Sequence, residues 1–199
     1  MTIITKTMII MMIIMNIINF VFFISIIKMK LAITGGMASG KTTVANYLIE
    51  KYNFKKFSFA DDVKKYAYEI FNIKHKDRKL LQEFASKVRE IDNHIWIKRL
   101  DEKLKTNNHI NIIIDDLRFP EEYEYLKSNN FLILKLDIHK DLQIKRLKDT
   151  YPNDFHSHIN SLHHNSETRD LNYDYYYYFD FHNYNSNDIY TYIDMIINN

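Results

Sequence analysis

All three glycines of this 199-residue chain fall in one stretch, Gly35-Gly36-Met37-Ala38-Ser39-Gly40-Lys41-Thr42. Its spacing, G-x-x-x-x-G-K-T, is that of a loop that grips phosphate. Glycine has no Cβ, so the backbone can take positive φ and turn several N–H groups onto one anion. A helix starting at the loop adds its positive end. Lys41 is expected to reach the β- and γ-phosphates of a nucleotide, and the Thr42 hydroxyl to hold Mg²⁺. Thr43 continues the same stretch. An apolar run, Leu31-Ala32-Ile33-Thr34, precedes the loop. A helical pattern with Val44, Ala45, Leu48 and Ile49 follows it. Strand, loop and helix are the context the motif needs.

Other chemistry-bearing residues gather at expected strand ends. Asp115 and Asp116 close an apolar strand, where open α/β sheets bind ligands. A carboxylate there can orient a Mg²⁺-bound water or bind a substrate hydroxyl; it can equally cap a helix. Arg118, in Asp116-Leu117-Arg118-Phe119-Pro120-Glu121-Glu122, suits bidentate binding of an acceptor phosphate. Its alternative is a surface ion pair with Glu121 or Glu122. Asp61 follows the second expected strand and could accept from an acceptor hydroxyl, while Asp61 and Asp62 also suit the first turn of a helix. Lys64 and Lys65 face either the acceptor phosphate or solvent. His156, His158, His163 and His164 lack thiolate partners and zinc-site spacing, so a metal role is disfavoured.

The elements that must position these residues alternate along the chain. Helices are expected over 42–52, 63–71 and around Leu80, Leu81, Phe84, Val88 and Ile91, then around Ile95–Leu100 and over 141–148. A last helix is expected over 186–197, with Ser186 as N-cap. Strands are expected at 54–59, 110–114, 131–134 and 177–181, and residues 151–174 read as a loop. Uninterrupted apolar strands imply a parallel sheet covered on both faces. The alternation implies a doubly wound α/β domain with right-handed crossovers.

Composition sets further bounds. The net charge is +2 and gives no argument for nucleic-acid binding. With no cysteine, disulfides, thiolate metal sites and thiol catalysis are excluded. Asn runs and the Tyr175–Tyr178 block follow an AT-rich codon bias and are discounted as functional signals. Residues 8–27 are apolar except for Asn16, Asn19 and Ser25, and are long enough to cross a bilayer as a helix. Only Lys28-Met29-Lys30 then separates them from the central strand. That short linker favours a true start at Met29 over a membrane anchor. The domain reading is therefore residues 1–28 as an apolar segment and 29–199 as one catalytic domain, cytoplasmic in either case. Membrane association follows only if residues 8–27 are translated.

Together these residues resemble the viral and phage deoxynucleoside monophosphate kinases of the P-loop nucleotide kinase superfamily. The matching stretches are Ile33–Ala45, Ser58-Phe59-Ala60-Asp61 with Lys64-Lys65, and Leu80-Leu81-Gln82-Glu83-Phe84 with Arg89 and Trp96. Asp116–Glu122 and His164-Asn165-Ser166-Glu167 complete them. The resemblance implies a three-layer α/β/α fold with a mostly parallel five-stranded sheet and a helical lid. It implies transfer of the ATP γ-phosphoryl to a deoxynucleoside 5′-monophosphate, with Mg²⁺ and without nucleic-acid partners; homodimerisation is left open. By this resemblance Lys41, Asp116, Arg118 and Arg146 are catalytic, and Gly35 to Thr43 hold ATP. Asp61, Lys65, Arg89, Trp96 and Arg118 bind the acceptor. Thr42 holds Mg²⁺, with Asp116 acting through water. The chain departs from the family in the lid, where a second arginine is replaced by Thr150, and near Ala85, where a glycine is usual. A dephospho-coenzyme A kinase and a membrane-tethered P-loop ATPase or switch are the alternatives.

Overall fold

The computed structural model describes residues 28–73, 77–107, 111–162, 171–181 and 187–198, with Met15 upstream of them. The elements run β1 (Lys30–Thr34), α1 (Lys41–Tyr52), β2 (Lys55–Phe57), α2 (Ala60–Phe71), α3 (Arg78–Ile91) and α4 (Ile95–Lys105). Then come β3 (Ile112–Ile114), α5 (Pro120–Ser128), β4 (Leu132–Ile138), α6 (Lys140–Thr150), α7 (Phe155–Ser161), β5 (Tyr175–Phe179) and α8 (Asp188–Asn198). The strands form one five-stranded sheet in the order β2-β3-β1-β4-β5. Every strand pair is parallel. The chain leaves β1 toward β2 and β3 on one side and returns to β4 on the other. That reversal opens a crevice beyond the carboxyl end of β1, where ligands bind in such sheets.

The buried positions of the central strands are largely apolar on both faces because both faces are covered. Leu31, Ile33, Ile113, Leu134 and Leu136 pack with Val44 and Leu48 of α1 and Ile189 and Ile193 of α8. Ala32, Ile112, Ile114 and Ile133 face the other way, onto Leu100 and Leu104 of α4 and Leu126 of α5. The tyrosine block alternates as an edge strand should: Tyr175 and Tyr177 are half-buried against the first cluster, while Tyr176 and Tyr178 are exposed. A third cluster, of Val63, Ala67, Leu81, Ala85 and Trp96, joins α2, α3 and α4 beside the sheet.

Several helix ends turn through left-handed residues, and here the discounted asparagines have a structural use. Asn53, Asn72 and Asn130 take φ of 55°, 51° and 61°. Asn is the side chain that best tolerates this region after glycine, and glycine is spent elsewhere in this chain.

Element positions differ from the sequence expectations in places. Residues 151–174 were expected to be loop, yet α7 spans Phe155–Ser161. Its pattern is too short to show periodicity, and tertiary contact holds it: the His158 ring stacks on Tyr151 at 3.9 Å between centroids. The last strand lies at Tyr175–Phe179, two residues earlier than expected, in register with Leu134–Ile138. Residues 1–14 and 16–27, His163 to Glu167 and Ser186 lie outside the described residues. Among the described residues, no helix is long and apolar enough to cross a membrane.

Candidate active site

The glycine-rich stretch joins β1 to α1 as an open loop with alternating backbone hand. Gly35, Ala38 and Gly40 have φ of 142°, 60° and 96°. Gly40 is the N-cap of α1, so the loop amides and the helix start converge. Gly35 is required twice over: a Cβ there would lie 2.1 Å from the Leu136 carbonyl oxygen, at a φ that side chains avoid. Lys41 folds back over the loop, donating to the carbonyls of Gly35 at 2.7 Å and Gly36 at 2.6 Å. Ser39 is fully buried, and its hydroxyl has no partner among the described residues. An orphaned hydroxyl in an amide-lined loop fits a phosphate oxygen, since buried polar groups are otherwise satisfied.

One helix, α6, braces this loop from outside. Gln143 of α6 donates its amide to the Met37 carbonyl at 2.7 Å. One turn on, Arg146 donates to the Ala38 carbonyl at 3.1 Å, with its guanidinium over the Phe179 ring. Gln143 was not singled out from the sequence; its spacing of three from Arg146 puts both on one helix face and could have found it.

The paired aspartates divide the work between them, differently from expectation. Asp116 was expected to act on Mg²⁺ through water; its carboxylate is engaged at the start of α2. It accepts from the Ser58 hydroxyl, the Phe59 N–H and, at 2.9 Å, the Ala60 N–H. It thus caps α2, whose own N-cap, Phe59, has no side-chain acceptor. Burial pushes its carboxyl up, against the downward pull of Ser58 and the two amides. Asp115 is the carboxylate on the α1 side, 3.5 Å from the Thr42 hydroxyl. Successive residues of an extended chain face opposite ways, which is why neighbours take different roles. Asp115 is 8 % exposed and paired with the Lys56 ammonium, a partner the sequence did not suggest. Thr42 and Asp115 are hard oxygen donors that suit Mg²⁺.

The acceptor side is built on α5. Pro120 fills its first position and Glu122 its third. The Glu122 carboxylate accepts from the backbone N–H of Arg118 at 3.0 Å and of Phe119 at 3.1 Å. It also receives the Arg89 guanidinium from α3 at 3.2 Å. Arg89 in turn lies 4.1 Å above the Phe119 ring. One buried carboxylate therefore fixes both arginines, one by its side chain and one by its backbone. Burial, reinforced by the charge of Asp116, pushes Glu122 up to about 7. Burial also lowers Arg89, against the pull of Glu122.

The remaining expected residues are placed less centrally. Asp61 lies exposed in the first turn of α2, 3.8 Å from the Lys64 ammonium. Lys65 is exposed, its ammonium 5.5 Å from the centre of the Tyr66 ring. Trp96 was expected to bind substrate, but it is 3 % exposed and its indole N–H donates to the Ala85 carbonyl. It packs in the helical cluster, where Ala85, in place of the usual glycine, lies against it. No group of histidines and carboxylates among the described residues could hold a metal ion by itself.

Comparisons with known proteins agree with this geometry. The family described as AAA domain matches residues 31–171. A protein of Acanthamoeba polyphaga mimivirus, provisionally named deoxynucleotide monophosphate kinase, is 27% identical over 143 residues, covering 54% of this chain and 72% of that one. Among solved structures, TT1252 from Thermus thermophilus has a TM-score of 0.57 at 14% identity, covering 85% of this chain and 96% of its own. A provisionally named kinase from Chloroflexus aurantiacus has a TM-score of 0.56 at 13% identity, covering 86% and 96%. The Mycobacterium tuberculosis APS kinase, solved with AMPPNP and APS, has a TM-score of 0.50 at 11% identity, covering 86% and 99%. At these identities the structures speak to the fold, and the family match extends over most of the chain. The chain belongs to the AAA domain family, and its fold is that of the P-loop kinases.

Proposed function

We propose that this protein is an ATP-dependent kinase that phosphorylates a deoxynucleoside 5′-monophosphate to the diphosphate. The observation that carries the reading is the phosphate loop, with a buried Ser39 hydroxyl that has no partner among the described residues, followed by a Thr42 hydroxyl 3.5 Å from the Asp115 carboxylate. The mimivirus relative's name and the Arg89–Glu122–Arg118 brace support the choice of acceptor.

Phosphoryl transfer asks little covalent chemistry of a protein; alignment and charge neutralisation do most of it. The loop amides, the Ser39 hydroxyl and Lys41 bind the donor's phosphates. On binding, Lys41 exchanges its two carbonyl contacts for phosphate oxygens, so the loop opens no new charge to water. Thr42 and Asp115 are the residues that would hold Mg²⁺, and the ion would neutralise charge on the donor. Arg118 and Arg89 bind the acceptor phosphate, which brings two anions into line that would otherwise repel. Asp61 accepts a hydrogen bond from the acceptor. Arg146, already against the loop, adds positive charge next to the donor. Closure of α6 and α7 over the site keeps water from competing for the phosphoryl group.

The test is direct. Purified protein with ATP and Mg²⁺ is offered each deoxynucleoside and ribonucleoside monophosphate, with dephospho-coenzyme A beside them. A diphosphate product from at least one deoxynucleotide is expected. Product from dephospho-coenzyme A alone, or ATP hydrolysis indifferent to all acceptors, would overturn the assignment.

A further inference from the structure

Arg78 opens α3, far in sequence from the phosphate loop, yet its side chain reaches across to it. Its Nη1 lies 3.6 Å from the Met37 sulfur, at the crest of the loop. The same nitrogen donates to Nδ1 of His158, on α7, at 2.9 Å. A guanidinium has no acceptor, so the imidazole Nδ1 must supply the lone pair. Neither partner is a carboxylate. Arg89 and Arg99, by contrast, each pair with carboxylates. Among the described residues, no carboxylate lies within ion-pair reach of Arg78; neighbouring Asp77 is committed to capping α3 through the Leu80 N–H at 3.0 Å.

The surroundings of Arg78 favour a bound anion. Arg78 sits at the positive end of a helix, where a cation is disfavoured. It also faces a loop that already gathers amide dipoles, a helix start and Lys41, with Arg146 on the opposite flank. A half-buried guanidinium with a thioether and an imidazole for neighbours, beside a loop that gathers amide N–H groups and Lys41, is placed to pair with a polyanion bound at that loop.

We propose that Arg78 is a catalytic residue that binds the γ-phosphoryl group of the donor nucleotide. It is delivered from the acceptor-side helix α3, opposite Arg146 of α6, and His158 holds it in place when the donor is absent. The inference rests on the kinase reading above. It also answers the shortage of arginine in the lid, where Thr150 stands: the second guanidinium comes from another element. In the transfer, an oxygen of the acceptor phosphate bonds to the γ-phosphorus as the bond from that phosphorus to the β–γ bridging oxygen breaks. The electron pair goes to the departing ADP, and no further reagent is consumed. Arg78, moving off His158 onto the γ-oxygens, supplies a planar fork to the group in flight.

The full chain and its Arg78→Ala, Arg78→Lys and His158→Gln variants are compared in two assays. The first is ATP and ADP affinity by calorimetry, which needs no acceptor. Arg78→Ala is expected to weaken ATP binding by about tenfold or more and ADP binding by less than about threefold. The second is turnover, expected to fall on the order of a hundredfold or more in Arg78→Ala. Arg78→Lys folds with the same charge but lacks the fork, so it should recover only a small part. His158→Gln should keep the ATP-over-ADP preference. Equal weakening of both nucleotides, no weakening, or a lowered melting temperature with an unchanged nucleotide preference would each overturn the proposal. A blank acceptor panel with intact ATP preference dependent on Arg78 would sink the acceptor assignment alone.

Discussion

Gly35→Ala separates a geometric requirement from a compositional one. The added Cβ would sit 2.1 Å from the Leu136 carbonyl oxygen and 2.9 Å from the Ser39 hydroxyl, at a φ of +142°. Backbone strain there costs roughly 1–3 kcal/mol. Overpacking against a strand carbonyl, which cannot rotate away, costs roughly another 1–3 kcal/mol. The sum, about 4 kcal/mol, corresponds to a fall of about 8–16 °C in melting temperature for a domain of this size. On the proposed reading, the displaced Ser39 hydroxyl is also lost to the donor phosphate. Gly36→Ala is the control: its Cβ would meet only the Gln143 amide nitrogen, at 3.2 Å, the end of a side chain that can swing aside. Losing that one hydrogen bond costs about 1 kcal/mol. Thermal melts and ATP titrations of both variants test the reasoning. Equal melting temperatures for the two, or wild-type ATP affinity in Gly35→Ala, would show that the loop does not depend on the close approach to β4.

Other predictions follow from single contacts. Lys41→Ala is expected to abolish phosphoryl transfer while circular dichroism stays that of the folded domain, because its ammonium lies on the carbonyls of the surface loop. Arg118→Ala is expected to raise the acceptor KM about tenfold or more with the ATP KM within about threefold, read from initial rates; an unchanged acceptor KM would remove Arg118 from the acceptor site. Glu122 carries a pH signature. Its carboxyl is raised from 4.5 to about 7 in the folded chain. The folded state thus holds this proton more tightly than the unfolded state does between those values. Its contribution to stability is present in full below about pH 4.5 and is lost as pH rises through about 7, by up to roughly 3 kcal/mol. Denaturant melts across that window should show the slope, and Glu122→Gln should flatten it.

The residues that could do chemistry were legible because their signals are local. A glycine-confined G-x-x-x-x-G-K-T stretch dictates strand, loop and helix by backbone sterics alone, and short apolar runs such as Ile112–Ile114 and Phe131–Leu134 dictate a buried parallel sheet. Arg118 and Glu122 could be flagged from one short segment. Which way each side chain points could not. Asp115 and Asp116 are equivalent as text, and only the register of β3 between β1 and β2 turns the first to Thr42 and the second to the start of α2. Trp96 matched a family landmark, yet the packing of α2 against α3 and α4 makes it core. Arg78 belongs to no motif of the chain and was not singled out.

Along the chain, then, spacing and residue type determined that there is a phosphate loop, a doubly wound sheet and a set of basic and acidic candidates. Only the tertiary structure decided that Asp115 stands by Thr42 while Asp116 caps α2, that Glu122 binds two arginines together, and that Arg78 reaches the loop from 41 residues away. The reason is that local sterics act over a turn of helix or a pair of strand residues. Partners such as Arg78 and His158, 80 residues apart, meet only after the sheet has brought their helices to the same edge.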